Sequence, residues 1–304
     1  MKALKQLFQR KRTLTSFFLH SVRENPTFLD LGPDIFLQPS TFRYLLEQIS
    51  QFESVPLDRL TNAENLQHTR QRMCTLSFDD GYQDNLTTAL PLLEQHSVPA
   101  TIFVTSGFID RKVLPYELVV AAEISRRDEI ELSNDGSSTT VHIDSIEKKE
   151  QVYRQVTNQL KPASYDERSR FLDNICPDQD IIDSVQNLFL TWDEVRELHQ
   201  HPLISIGVHT YSHLALSKQP AAIVRNEINR DMQRLESELQ APASTFAFPY
   251  GATSRACQKI ASKCGLATFT TKYQPAVDSR KRTVFPRCEV KSVDDVNRTI
   301  QQTS

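Results

Sequence analysis

Two adjacent carboxylates, Asp79 and Asp80, followed at once by Gly81, end the apolar run 73–78. A run of that length reads as a buried strand. A turn at its end lets both acids reach one site from slightly different directions, and Gly81 permits the sharp exit. Two like charges this close raise each other's cost unless a cation or a proton intervenes. The pair makes chemical sense if one carboxylate binds a metal and the other stays free as a base. A strand-to-helix turn in which one Asp caps the next helix is the alternative. A second cluster, Gly207-Val208-His209-Thr210-Tyr211-Ser212-His213, follows the apolar run 203–208. His209 and His213 are spaced i, i+4, so on a helical turn both imidazoles face one way and can bind one cation. Two His and one Asp make three protein ligands and leave positions open for water and substrate. Two ordinary histidines are the alternative, weakened by both clusters lying at the same end of one sheet. The third cluster is Phe246-Ala247-Phe248-Pro249-Tyr250-Gly251. Its Pro and Gly fix a turn that can aim a backbone N–H, that of Tyr250, into the site as an oxyanion donor. A plain β-turn reads the same way.

The elements that must position these residues alternate. Residues 13–20, 73–78, 100–104, 203–208, 244–248, 266–270 and 283–290 read as strands. Between them lie helical patterns at 85–96, 221–239 and 254–263, with a closing helix at 293–301. Ser40 is expected to cap a helix with Phe42, Leu45, Leu46 and Ile49 on one face. Thr191-Trp192-Asp193-Glu194 has capping-box spacing. Strands alternating with helices form a parallel sheet. About seven of them predict an α/β fold, a distorted, incomplete (β/α)7 barrel with its chemistry at the C-terminal strand ends. Between 111 and 190 the rhythm changes to a helix at 114–127, a hairpin across Asn134-Asp135-Gly136 and a charged helix at 145–160. The whole chain, 1–304, is read as a single barrel domain, with 111–190 an inserted helical and hairpin subdomain and a candidate lid.

Composition narrows the partners. Net charge is −3, with no strongly basic block, which argues against nucleic acid. The five cysteines, Cys74, Cys176, Cys257, Cys264 and Cys288, form no CxxC pair. An odd, scattered set suggests reduced thiols and a cytoplasmic location. No stretch approaches the ~18 apolar residues of a membrane helix. Residues 1–12 are basic, but 13–20 is too short and polar for the apolar region of a signal peptide. The basic start could touch an anionic membrane surface or be a solvated tail.

The three clusters together resemble the polysaccharide deacetylase family, carbohydrate esterase family 4, also called the NodB-homology domain. Its first motif, (T/S)FDDG, matches Ser77 to Gly81. Its second, H(S/T)xxH, matches His209 to His213. The end of its third, P(P/Y)G, matches Pro249-Tyr250-Gly251. The resemblance spans roughly 13–290, with 111–190 as a family-variable insert. It implies metal-dependent removal of an acetyl group from an N-acetylated sugar in a polysaccharide, oligosaccharide or glycan precursor. It implies Asp79 as general base, and Asp80, His209 and His213 as ligands of a divalent cation, Zn²⁺ first, with Co²⁺ or Ni²⁺ as substitutes. Two departures stand out. The third motif usually carries an Arg that orients the base, and here it offers only Phe246 and Phe248. The general-acid motif Leu-x-His near the C-terminus is missing, since no histidine follows His213. Some members look circularly permuted, with the acid-bearing strand first, and Phe18-Leu19-His20-Ser21-Val22 resembles that version. His20 is then the expected acid, and Arg287 the candidate replacement for the missing Arg. Two other readings are a hydrolase of a formamide or cyclic amide on the same barrel, and an inactive glycan-binding module.

Overall fold

The computed structural model describes residues 13–26, 28–29, 31–61, 72–134, 137–176, 178–274, 277–278 and 284–303. The basic stretch 1–12 and the hairpin turn Asp135-Gly136 lie outside the described residues. In chain order the strands are β1 (Thr13–Leu19), β2 (Ser21–Val22), β3 (Phe36–Leu37), β4 (Glu53–Ser54), β5 (Arg72–Phe78), β6 (Ala100–Val104) and β7 (Glu129–Asn134). They continue with β8 (Ser137–His142), β9 (Ile204–Val208), β10 (Thr245–Ala247), β11 (Ala267–Thr270), β12 (Val277–Asp278), β13 (Val284–Pro286) and β14 (Cys288–Glu289).

Side by side, β1, β5, β6, β9, β10, β11 and β13 run parallel. One residue past β13, β14 pairs parallel with β1 at Phe17 and Phe18. The segment 284–289 therefore bridges the two sides of the sheet, with Arg287 at the seam. The result is the nearly closed parallel α/β barrel expected from the alternation. Central strands are buried on both faces, as Ala100–Val104 is throughout, which is why they read as continuous apolar runs. Inside the barrel Leu14, Met73, Phe103, Ala247, Phe269 and Phe285 form one cluster, floored by Val55, Leu57 and Leu60. The amphipathic helices lie outside and shield the sheet. Helix Ala221–Leu239, for example, buries Val224, Ile228 and Leu235.

Some local expectations are corrected. Ser40 does not cap: the helix is Pro39–Ile49, Gln38 holds the cap position, and Pro39 opens the helix. Proline needs no donor there, so it sets the start. The helix expected at 85–96 begins as a π-helical turn, Asn85–Ala89, before Leu90–His96. The Thr191–Glu194 capping box is formed. Residues 129–134 and 137–142 pair as an antiparallel hairpin, followed by helices Ile146–Leu160, Tyr165–Ile175 and Gln179–Gln186. The end of this stretch is tied to the turn after β5, where the Gln83 N–H donates to Leu188 O (2.8 Å) and the Leu190 N–H to Gly81 O (3.0 Å). All five cysteines are free thiols. Among the described residues, no helix is long and apolar enough to cross a membrane.

Candidate active site

At the end of β5 the backbone turns through two left-handed residues, Asp80 (φ 76°) and Gly81 (φ 83°). The Asp79 N–H still donates to Leu19 O of β1 (2.9 Å), so this residue stays in the ladder. The turn splits the two carboxylates. Asp79 faces into the barrel and Asp80 faces the histidine pair.

Asp79 meets Arg287 in a bidentate pair, Nη1 to Oδ1 at 2.6 Å and Nη2 to Oδ2 at 2.7 Å. Both side chains are buried. Nη1 also donates to Ser77 Oγ (3.1 Å), whose hydroxyl donates on to Phe17 O (3.2 Å). The guanidinium lies over the Phe18 ring (4.5 Å) and near Phe103 (5.2 Å), so its position is fixed by packing as well as by charge. Burial pushes the Asp79 carboxyl up. The Arg287 charge, His209 and the Arg287 hydrogen bonds outweigh it and hold the group below the usual carboxylate range.

Asp80, His209 and His213 converge, with their ligand atoms within 4.8 Å of one another. Asp80 Oδ1 lies 3.3 Å from His209 Nε2 and 3.1 Å from His213 Nε2. Beside these two imidazole contacts, the buried Oδ1 has no well-aligned hydrogen-bond donor among the described residues. The other ring nitrogens are engaged: His209 Nδ1 donates to Ala247 O (2.9 Å), and His213 Nδ1 lies 3.1 Å from Tyr250 Oη. Both Nε2 atoms therefore face the same carboxylate oxygen. That donor set, two imidazoles and one carboxylate, suits a divalent cation. The convergence does not come from a helical turn, as the i, i+4 spacing suggested. The loop after β9 is irregular, with Thr210 (φ 71°) and His213 (φ 50°) left-handed.

Two buried carboxylates on helix Ala221–Leu239 hold that loop. Asp231 accepts from the Ser106 N–H (2.9 Å) and the His209 N–H (2.8 Å), and Glu227 from the Ser212 N–H (2.7 Å). Burial pushes the Asp231 carboxyl up to about 7 and raises Glu227 as well. Sequence reasoning missed both. Their signal was acidic residues at i, i+4 on the same helical face as Val224 and Ile228. Gly107 lets the loop close in, since a Cβ there would lie 2.2 Å from Tyr211 O.

These groups open on a cavity of about 270 Å³, also lined by His20, Tyr250, Glu117 and Arg168. His20 is partly buried, its ring edge-on to Phe18 at 5.8 Å. Its carbonyl accepts from Asn85 Nδ2 (2.9 Å), and Asp84 anchors the next residues by accepting from Ser21 Oγ (2.5 Å) and the Val22 N–H (2.8 Å). Tyr250 is left-handed (φ 58°) in the Pro249–Gly251 turn. The structure thus brings all seven sequence-nominated residues to one end of the barrel.

A nearly closed parallel barrel with carboxylates and histidines at its strand ends places polar groups where such folds carry their chemistry. The family model for polysaccharide deacetylase matches residues 67–269. The chain belongs to that family and is a deacetylase of the hydrolase class. Its fold matches a Streptococcus pyogenes deacetylase solved with acetate (TM-score 0.62, 14% identity, 95% of this chain and 99% of that one). It also matches a de-N-acetylase from Aggregatibacter actinomycetemcomitans (TM-score 0.63, 14% identity, 96% and 100%). A third match is IcaB from Ammonifex degensii (TM-score 0.61, 15% identity, 97% and 98%). No curated protein gave a significant sequence match. The family match begins after His20 and ends before Arg287.

Proposed function

We propose that the chain is a metal-dependent de-N-acetylase of an acetamido sugar, in a glycan or glycan precursor, with Zn²⁺ as the working metal and Co²⁺ or Ni²⁺ as substitutes. The observation that carries this is one cavity wall holding both an Arg-paired carboxylate, Asp79, and a separate Asp80-His209-His213 ligand set with an orphaned carboxylate oxygen. When bound, a divalent cation supplies Lewis-acid polarisation of the acetyl carbonyl and acidification of a water. The protein's own residues divide the remaining work. Arg287 keeps Asp79 ionised and aimed, so that a carboxylate lone pair takes the proton of the attacking water. The Tyr250 N–H stabilises negative charge developing on the acetyl oxygen. His20 gives its proton to the leaving sugar amine.

Under this reading the chain is a permuted member, its acid on the first barrel strand and its base-orienting Arg at the last. The neighbourhood of β1, β5 and β14 supports it by bringing His20, Asp79 and Arg287 together from distant parts of the sequence. The 111–190 stretch is proposed as the wall that selects the sugar. The deciding experiment measures acetate release from a panel of N-acetylated oligosaccharides and sugar nucleotides, alongside metal content of the purified protein. Activity should disappear in Asp79→Asn while bound metal stays. Bound metal with no acetate released from any acetylated sugar would instead favour a glycan-binding role.

A further inference from the structure

The two imidazoles are held by different parts of the chain. His209 is held by barrel elements alone: its N–H donates to Val104 O (3.2 Å) and Asp231, and its ring to Ala247 O. His213 lies further along an irregular loop with left-handed backbone, where nothing in the strand geometry fixes its ring. Its backbone carbonyl is held instead from the 111–190 stretch. Arg168, buried on helix Tyr165–Ile175, donates from Nη1 to His213 O (3.0 Å). The same guanidinium donates from Nε to Leu160 O (3.0 Å) and from Nη2 to Lys161 O (2.8 Å), and stacks over the Tyr116 ring (4.4 Å). Among the described residues no carboxylate pairs with it, so its charge is spent on carbonyl oxygens that fix the local backbone. On the other side, His213 Nδ1 meets Tyr250 Oη (3.1 Å), and that hydroxyl donates to Glu117 Oε2 (3.2 Å) on helix Tyr116–Ser125, the nearer and charged acceptor, with Tyr116 Oη farther off at 3.5 Å.

From this geometry we infer that the 111–190 stretch is a brace for the metal ligand His213: Arg168 fixes its backbone, and Glu117, acting through the Tyr250 hydroxyl, fixes its ring tautomer. The inference rests on the metal-site reading above. The chemistry follows from proton placement. An accepting Tyr250 oxygen, itself donating to Glu117, holds the imidazole proton on Nδ1 and leaves the Nε2 lone pair free for a cation. Without that acceptor the proton can move to Nε2, which lies 3.1 Å from Asp80 Oδ1. A His–Asp hydrogen bond would then occupy two of the three ligand atoms. Arg168, Glu117 and Tyr250 are in this respect positioning residues, and the insert is part of the scaffold of the site.

The test measures zinc dissociation constants by competition with a chromophoric chelator, and the His213 tautomer by imidazole ¹⁵N shifts in the metal-free protein. Tyr250→Phe and Glu117→Ala should each weaken zinc ~10–100-fold, the usual effect of removing an outer-shell partner. Both should shift His213 towards the Nε2-protonated form. Glu117→Gln keeps an acceptor and should recover most of the affinity, a rescue that a purely structural role would not give. Arg168→Met should also weaken zinc. If that variant fails to fold, Arg168→Lys, which keeps one donor, should show a smaller loss in the same direction. Native zinc affinity, within twofold, in Tyr250→Phe, Glu117→Ala and the folded Arg168 variant overturns the brace. So does an Nε2-protonated His213 in the native metal-free protein. A native protein that takes up no zinc overturns the metal reading itself, and the ring tautomer alone then decides the brace.

Discussion

Arg287→Ala would strand Asp79. The carboxylate loses two short charge-assisted hydrogen bonds, 2.6 and 2.7 Å, in a site where both partners are buried. Breaking a buried pair from one side costs about 3–5 kcal/mol, because the remaining charge stays desolvated. Unfolding entropy of about 2.1 cal/mol/K per residue over 304 residues gives ~0.64 kcal/mol/K, so the melting temperature should fall by ~5–8 °C. The pH dependence carries a sign that separates this from a generic packing defect. In the native protein the Asp79 carboxyl is held below its ordinary value. Its contribution to stability is therefore present above the unfolded carboxylate range and lost as pH falls through the folded value. Without the guanidinium, burial dominates and raises the group. The variant's deficit should then grow as pH rises from about 4 to 7 in metal-free protein. Acetate release should fall by ~10²-fold, since the base is no longer held in line. The combined Asp79→Asn, Arg287→Met change should recover much of the stability but none of the activity. Melting within ~1 °C of native across pH 4–7 would refute the argument that this pair is a buried, mutually dependent unit.

Three further outcomes are expected. His20→Ala should lower kcat by ~10²–10⁴-fold with metal content unchanged and flatten the alkaline limb of the pH–rate profile; full kcat would remove it as the acid. Chelator treatment should abolish acetate release, and Zn²⁺ or Co²⁺ should restore it to native protein but not to His209→Ala, as followed by activity and metal analysis. Asp231→Asn leaves one acceptor for two N–H donors. It should cost about 1–3 kcal/mol in denaturant unfolding and weaken zinc binding, since the His209 backbone loses its anchor.

The barrel was legible because buried parallel strands are written as short apolar runs, and residues 73–78, 100–104 and 203–208 are such runs. The Asp79-Asp80 pair and the His209–His213 pair were legible for the same reason, as polar groups placed where a strand stops. Their split was not. It depends on positive φ at Asp80, which non-glycine residues seldom adopt and sequence does not announce. The i, i+4 spacing of the histidines anticipated that the two rings converge, but an irregular loop and not a helical turn brings them together. Arg287 could be nominated only by the resemblance. It lies 208 residues from its carboxylate, and no local pattern links the two. The contact of the Tyr250 hydroxyl with His213 was hidden because its turn suggested only a backbone N–H. Glu227 and Asp231 were not singled out at all, because the loop they hold is distant in sequence from their helix face.

The seam at Arg287 bears on how the protein is made. Asp79 leaves the ribosome 208 residues ahead of its guanidinium. At ~5–20 residues per second that is ~10–40 s. Until residues 284–289 emerge nothing bridges β1 to the far side of the sheet, and the nascent sheet carries open edges of the kind that pair with the wrong strand. A product released short of residue 284 would carry the whole of the family match, 67–269, and still lack the guanidinium that pairs with Asp79. For this barrel, closing the sheet and pairing the Asp79 carboxylate would be one event.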